Sequence, residues 1–339
     1  MAERLGVKNV EDVVMKDFKS TEHPRFVVIT DHTKSQVVLC IRGTYSIGDA
    51  IIDIVCDEVP FLDGYAHHGM VDGANRILNK VKPLLRELLL SKFPGYKLRI
   101  TGHSLGAGTA ELVTMTLLSS KDNKEDEWLN KIDIKCIALA PPPVYRPGDM
   151  AKKLEEEIQK NIIIFVNGND CVPRLSLANC AWLLAALRGI DNLKLTTYDQ
   201  LSIIVQKSTT KELPILRPTN VVNDLLKQCQ TAIANIDVQY QEKFKYLGHP
   251  SHFVYYLSPT YDKDIKVLSV SLVRKKAKYF SHLLLMFSKM IADHFQWNYE
   301  ESLNKVASIN EEQNSVNDVE PTTNSEVITS NNGSSLVLM

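Results

Sequence analysis

The sequence predicts an α/β fold: a mixed, mostly parallel sheet with helices on both faces. Three observations predict it. Two near-continuous apolar segments, "IDIKCIALA" (Ile132–Ala140) and "NIIIFVN" (Asn161–Asn167), have the pattern of strands buried on both sides. Strand-like and helix-like segments alternate at crossover spacing, which is the arrangement of parallel strands joined by helices. A glycine-bracketed serine, Gly102-His103-Ser104-Leu105-Gly106, sits where a strand pattern gives way to a helix pattern.

Each element follows in order. "RFVVIT" (Arg25–Thr30) and "QVVLCI" (Gln36–Ile41) are rich in β-branched residues and flank the polar "DHTKS", so they form a hairpin. Val71 to Leu90 repeats leucine and valine at three- and four-residue spacing, a helix that Pro83 is expected to kink or divide. "YKLRIT" (Tyr96–Thr101) is a strand, and "GAGTAELVTMTLL" (Gly106–Leu118) a helix that begins with small residues. "RPGDMAKKLEEEIQK" (Arg146–Lys160) supplies a turn and a polar helix. The stretch from Leu175 to about Lys245 is irregular and carries the proline-marked "KELPILRPTN"; it reads as an insertion in the same domain that covers a cleft. "HFVYYL" (His252–Leu257) and "IKVLSVSLV" (Ile265–Val273) return to strand character, and Lys275 to Lys305 is helix-like. Past Lys305 the chain is rich in Ser, Asn, Thr and Glu and has no basic residue, the composition of a disordered acidic tail. The expected organisation is one domain over residues 1–306, with the insertion at about 175–245, and a tail over 307–339.

Composition removes several classes of function. A chain of 339 residues with 44% hydrophobic and 23% charged residues has the make-up of a globular protein with a sizeable core. Its net charge of −1 gives no bulk attraction to nucleic acid, and no basic-aromatic patch stands out. The 6 cysteines (Cys40, Cys56, Cys136, Cys171, Cys180, Cys229) show neither disulfide-scaffold nor metal-ligand spacing, so they read as free buried thiols of a reducing compartment. The charged start "MAERLGVKNVEDVVMKDFKS" lacks the apolar core of a secretion signal. The longest apolar runs, "AWLLAAL" (Ala181–Leu187) and "HLLLMFSKMIA" (His282–Ala292), fall short of the ~20 residues that span a bilayer. The expected place is therefore the cytoplasm, with peripheral membrane contact. No cofactor and no metal are called for.

Gly102 to Gly106 carries the chemistry. A serine on a tight strand-to-helix turn is held in a strained backbone conformation with its Oγ above the sheet edge, and flanking glycines remove the Cβ atoms that would collide there. G-x-S-x-G in this context is the nucleophile elbow of the α/β-hydrolase fold. The helix N-terminus beyond it aims backbone N–H groups at the place where an oxyanion would form. Ser104 is thus the candidate nucleophile, and His103, beside it, an orienting or packing residue. The nucleophile needs a base, and the base an acid to orient it. Asp170, just past the apolar strand in "NIIIFVNGNDCVPRL", is the candidate acid; Asp149 in a turn and Asp133 at a strand start are simpler as solvated carboxylates. Among His249, His252, His282 and His294, the last lies after the final strands, where the base belongs, and His252 on a strand is the alternative.

Six segments occur in order: "LCIRGTYSIGDAIIDI", "HHGM", "RITGHSLGAGTAEL", "IALAPPP", "GNDCVPRLSL" and "ADHFQWNYEESLNKV". Together they resemble the class 3 (fungal-type) lipases, most of all the catalytic domain of the sn-1-specific diacylglycerol lipases. The resemblance runs from about Val27 to Val306 and is densest from Leu39 to Leu177. It implies that Ser104, Asp170 and His294 are nucleophile, acid and base. It also implies that Arg42, Gly43 and Thr44 build the oxyanion hole, with Thr44 and Leu105 as donors. The family's lid would correspond to Ile47–His67, where Ala50, Ile51, Ile54 and Val55 fall on one helical face opposite Asp49, Asp53 and Asp57. Such a stripe serves equally as core. The transmembrane helices and long regulated tail of the animal diacylglycerol lipases have no counterpart in these residues, so membrane residence is not carried over. The expected activity is hydrolysis of an acylglycerol ester at a membrane or droplet surface, diacylglycerol first. The alternatives are a phospholipase A1 or general carboxylesterase, and, more remotely, a silent interaction module on the same fold. Protein partners are unknown.

Overall fold

The computed structural model describes residues 12–17, 24–43, 58–148, 152–176, 179, 247–261, 267–280 and 289–317. The elements in chain order are β1 (Val13–Lys16), β2 (Phe26–Asp31), β3 (Gln36–Ile41), β4 (Glu58–Phe61), β5 (Gly64–His67), α1 (His68–Glu87), β6 (Lys97–His103), α2 (Leu105–Ser119), β7 (Ile134–Leu139), β8 (Tyr145–Arg146), α3 (Lys152–Asn161), β9 (Ile162–Asn167), β10 (Phe253–Tyr261), β11 (Val267–Lys276) and α4 (Gln296–Asn317). Eight strands form one sheet in the order β1-β2-β3-β6-β7-β9-β10-β11. Its five central strands, β3, β6, β7, β9 and β10, are mutually parallel, and antiparallel strands close both edges. This is the mixed sheet of an α/β-hydrolase. A small antiparallel sheet, β4-β5-β8, stands apart from it.

Strand alternation sorts the side chains to two faces. Along β9, Ile162, Ile164 and Val166 enter the larger core with α1, α2 and α3. Ile163 and Phe165 point the other way, toward Tyr299, Leu303 and Val306 of α4. Helix α1 buries Met70, Ala74, Ile77, Leu78, Val81 and Leu85, one apolar stripe at helical spacing. Helix α2 has no polar face; nearly every residue from Leu105 to Leu118 is buried, because the helix runs through the centre of the molecule directly behind the elbow. Gly108 is where α2 is crossed most closely: a Cβ there would lie 2.6 Å from Val144 Cγ1 and 2.7 Å from Met70 Sδ.

The hairpin β2–β3 forms as expected, with Phe26 opposite Ile41. Three expectations meet differences. Helix α1 runs unbroken through Pro83, which lies on its exposed side, where water can serve the Asn79 carbonyl that a proline leaves without an amide partner. The segment Lys275–Lys305 is not one helix: β11 extends to Lys276, short 3₁₀ turns occupy Ala277–Phe280 and Ala292–His294, and α4 begins only at Gln296. Helix α4 then continues to Asn317, past the point where composition starts the tail. Asp149, His282, the stripe Ala50, Ile51, Ile54 and Val55, most of the insertion and the tail from 318 onward lie outside the described residues. Among the described residues no helix is long and apolar enough to cross a membrane, and Cys40, Cys136 and Cys171 are unpaired thiols.

Candidate active site

The parallel strands β3, β6 and β9 end on one side of the sheet, and the chemistry-bearing residues follow those ends. Immediately past β6, Ser104 has φ 59° and ψ −132°, a region that costs a non-glycine residue about 1–3 kcal/mol. Neighbouring hydrogen bonds hold it there. Its N–H donates to the Leu139 carbonyl at 3.0 Å, and its own carbonyl accepts from Ala107 at 2.8 Å and Gly108 at 3.2 Å. Two glycines make the turn possible. A Cβ on Gly102 would strike the Gly106 carbonyl, and one on Gly106 would sit 2.6 Å from Arg42 C and 2.7 Å from Gly43 N. The second clash shows how tightly the end of β3 abuts the elbow.

The structure brings Ser104, His294 and Asp170 together, all three buried. His294 stands on the 3₁₀ turn before α4, and Asp170 follows β9. His294 Nδ1 is 3.0 and 3.1 Å from the two Asp170 carboxylate oxygens, and Nε2 is 3.0 Å from Ser104 Oγ. A carboxylate only accepts, so Nδ1 carries the proton, and Nε2 is left to accept from the serine hydroxyl. Asp170 is fully buried yet well satisfied: Val172 N–H donates to Oδ1 at 2.9 Å and the Tyr299 hydroxyl donates to Oδ2 at 2.6 Å. Burial, and then the Asp170 charge, push the Tyr299 phenol well above its ordinary pKa, so it stays a donor. The same hydroxyl accepts from Asn167 N–H at 2.9 Å. Asp293 Oδ2 accepts from Asn169 N–H at 2.7 Å, and Ser302 Oγ donates to Asn167 Oδ1 at 3.0 Å. The start of α4 is thus pinned to the end of β9, fixing His294 against Asp170.

His103 has an orienting position. Its Nε2 donates to the His294 carbonyl at 2.8 Å, and the two rings lie 4.7 Å apart. Burial, followed by the nearby His294, lowers its pKa to about 4, so it is neutral near pH 7. The other histidines lie elsewhere. His252 is exposed and pairs with Glu155 at 3.1 Å, and half-buried His249 donates to the Pro173 carbonyl at 3.0 Å. Asp133 is occupied with Arg99 at 2.8 Å.

Leu105 is the first residue of α2, directly after Ser104, so its amide is one of those that have no intrahelical carbonyl to bond. Thr44 lies outside the described residues; Arg42 and Gly43, which lead to it, stand against the elbow. No group of residues able to hold a metal ion occurs among the described residues. Sequence reading missed Tyr299, Asp293 and Asn167. The only available signal was the spacing of Tyr299, Ser302 and Val306, which put two polar residues on the stripe of α4 that packs inward.

Residues 38–180 match the model of the family described as lipase (class 3). Diacylglycerol lipase-beta of Mus musculus is 30% identical over 161 residues, 45% of this chain and 22% of that protein. Diacylglycerol lipase-alpha of Homo sapiens is 32% identical over 205 residues, 56% of this chain and 18% of that protein. The secreted mono- and diacylglycerol lipase A of Penicillium camembertii is 30% identical over 159 residues, 46% of this chain and 48% of that protein. The matched segments thus span less than a quarter of the two animal relatives and about half of the fungal one. Among solved structures, a mutant of MDLA from Penicillium cyclopium aligns at 28% identity over 49% of this chain and 58% of that chain, with a TM-score of 0.40.

Proposed function

We propose, from the match of residues 38–180 to the class 3 lipase family, that the chain is a serine lipase that cleaves acylglycerol esters at a membrane or droplet surface, converting diacylglycerol to monoacylglycerol and free fatty acid. One observation carries the reading: a single buried imidazole bridges Ser104 Oγ and the Asp170 carboxylate. His294 Nε2 takes the Ser104 proton as Oγ attacks the ester carbonyl. Asp170 keeps the imidazole in the tautomer that can accept, and stabilises the imidazolium that forms. The Leu105 amide, with Thr44, receives the oxyanion. His294 then delivers the proton to the departing glycerol oxygen, leaving an acyl-Ser104 ester. Water, deprotonated by His294, attacks that ester, and fatty acid leaves as Ser104 recovers its proton.

Base catalysis of this kind contributes about 10²–10⁴-fold, and each oxyanion donor about 3 kcal/mol. The preference for diacylglycerol draws on the three relatives above, each named for that substrate. The test is parallel hydrolysis of a diacylglycerol, a triacylglycerol and a phosphatidylcholine by the full chain, beside Ser104→Ala. Diacylglycerol is expected to be cleaved fastest, and the variant to be silent on all three. Fastest cleavage of phosphatidylcholine would make the protein a phospholipase A1 on the same machinery, and silence of the wild type would leave a lipase fold without lipase activity.

A further inference from the structure

Resting on the lipid-ester reading above, we propose that the turn carrying the base is also an anchor to the lipid surface, a neutral aromatic rim formed by Ile291, Phe295 and Trp297. Trp297 is 62% exposed and Ile291 54%, the two most exposed large apolar side chains among the described residues. Phe295 and Trp297 stack with ring centroids 4.3 Å apart and planes at 14°, so they present one rigid apolar slab. The backbone of the same turn holds them at the site. His294 N–H donates to the Ile291 carbonyl at 3.2 Å, and Asn298 N–H to the Phe295 carbonyl at 3.0 Å. Ile291 precedes the base by three residues and Phe295 follows it directly.

An exposed tryptophan in water has a structural alternative, namely chance exposure at a helix start, but the company it keeps points to an interface. Its ring is apolar in body with one polar N–H, the shape that partitions to the boundary of a bilayer. From Ile291 to Tyr299 the sole carboxylate, Asp293, is buried, so the surface of this turn is uncharged. The first exposed charges beyond it, Glu300 and Glu301, are acidic and would repel an anionic surface. The occupant that fits is therefore a neutral or zwitterionic lipid surface, contacted by apolar insertion rather than charge. Docking there sets the turn that carries His294, 3.0 Å from Ser104 Oγ, against the layer that holds the substrate.

The experiment uses the full chain with Ser104→Ala, so that vesicles survive, and vesicles of phosphatidylcholine containing diacylglycerol. Flotation is expected in low and high salt alike, and replacing part of the phosphatidylcholine by an anionic phospholipid is expected not to increase it. Adding Trp297→Ser or Ile291→Ser should weaken partitioning about tenfold each. With Ser104 restored, both variants should keep their rate on a short water-soluble ester and lose rate on dispersed diacylglycerol. Equal flotation of parent and variants, binding that requires anionic lipid, or equal losses on soluble and dispersed ester would overturn the anchor. So would a variant that floats normally but changes oligomeric state, which would give the patch to a second copy of the chain. If no ester is cleaved but flotation still depends on Trp297, the lipase reading falls and the lipid-binding rim stands.

Discussion

Glu111 offers a perturbation whose size can be worked from the structure. It lies on α2 seven residues after Ser104, is 0% exposed, and neither of its carboxyl oxygens has a hydrogen-bond partner. Burial drives its pKa well above the ordinary 4.5, so the folded protein holds it as a neutral acid. Below the ordinary value both folded and unfolded chains are protonated, and Glu111 adds no pH dependence. Above it the unfolded chain releases its proton while the folded chain keeps it. Stability therefore falls as pH rises, by about 1.4 kcal/mol per pH unit, until the folded pKa is reached. In addition, a buried polar group without partners costs about 1–3 kcal/mol at any pH. Urea unfolding of wild type, Glu111→Gln and Glu111→Leu across about pH 5 to 8 separates the two effects. Both variants should lose this falling slope. Glu111→Leu should also be more stable at the acid end by roughly the burial cost, whereas Glu111→Gln, with a buried amide still unpaired, should gain little there. Parallel pH profiles for all three proteins would refute the reasoning, and so would a Leu variant less stable throughout.

Other outcomes follow from the site. Asp170→Asn should leave the fold intact and lower kcat by about 10⁴-fold, because the amide favours the wrong imidazole tautomer; circular dichroism and ester kinetics check both halves. Tyr299→Phe removes the hydroxyl 2.6 Å from Asp170 Oδ2. The carboxylate loses its buried donor, so kcat should drop about tenfold with the fold intact. An unchanged kcat would reduce Tyr299 to packing. Gly106→Ala places a methyl 2.6 Å from Arg42 C in rigid backbone, and should cost several kcal/mol in thermal unfolding as well as activity.

The physical range of each interaction decided what was legible in the sequence. The elbow was readable because its causes are local: glycines at 102 and 106 and a switch from strand to helix period within a few residues. Asp170 was readable as a carboxylate at the end of an apolar strand. His294 stood out from its competitors by its place after the last strands and by the family resemblance. Tyr299 was not readable, because its role arises from docking α4 on the end of β9, which joins residues 129 apart in sequence. Glu111 was hidden for a related reason. Helix α2 is enclosed on all sides, so no stripe tells an inward position from an outward one. Pro83 shows a local rule outweighed: the apolar stripe of α1 is buried on both sides of it, and its own side faces water. The end of β11 was blurred because Arg274, Lys275 and Lys276 carry no strand signature, and only their pairing with β10 extends the strand that far.

The central claim, that Ser104 is activated by His294, is tested most directly by covalent labelling with a fluorescent fluorophosphonate. Wild type should label, and Ser104→Ala and His294→Ala should not, with all three proteins folded. A His294→Ala protein that still labels at the wild-type rate would contradict the claim, and loss of labelling in His252→Ala instead would move the base to the exposed histidine just before β10.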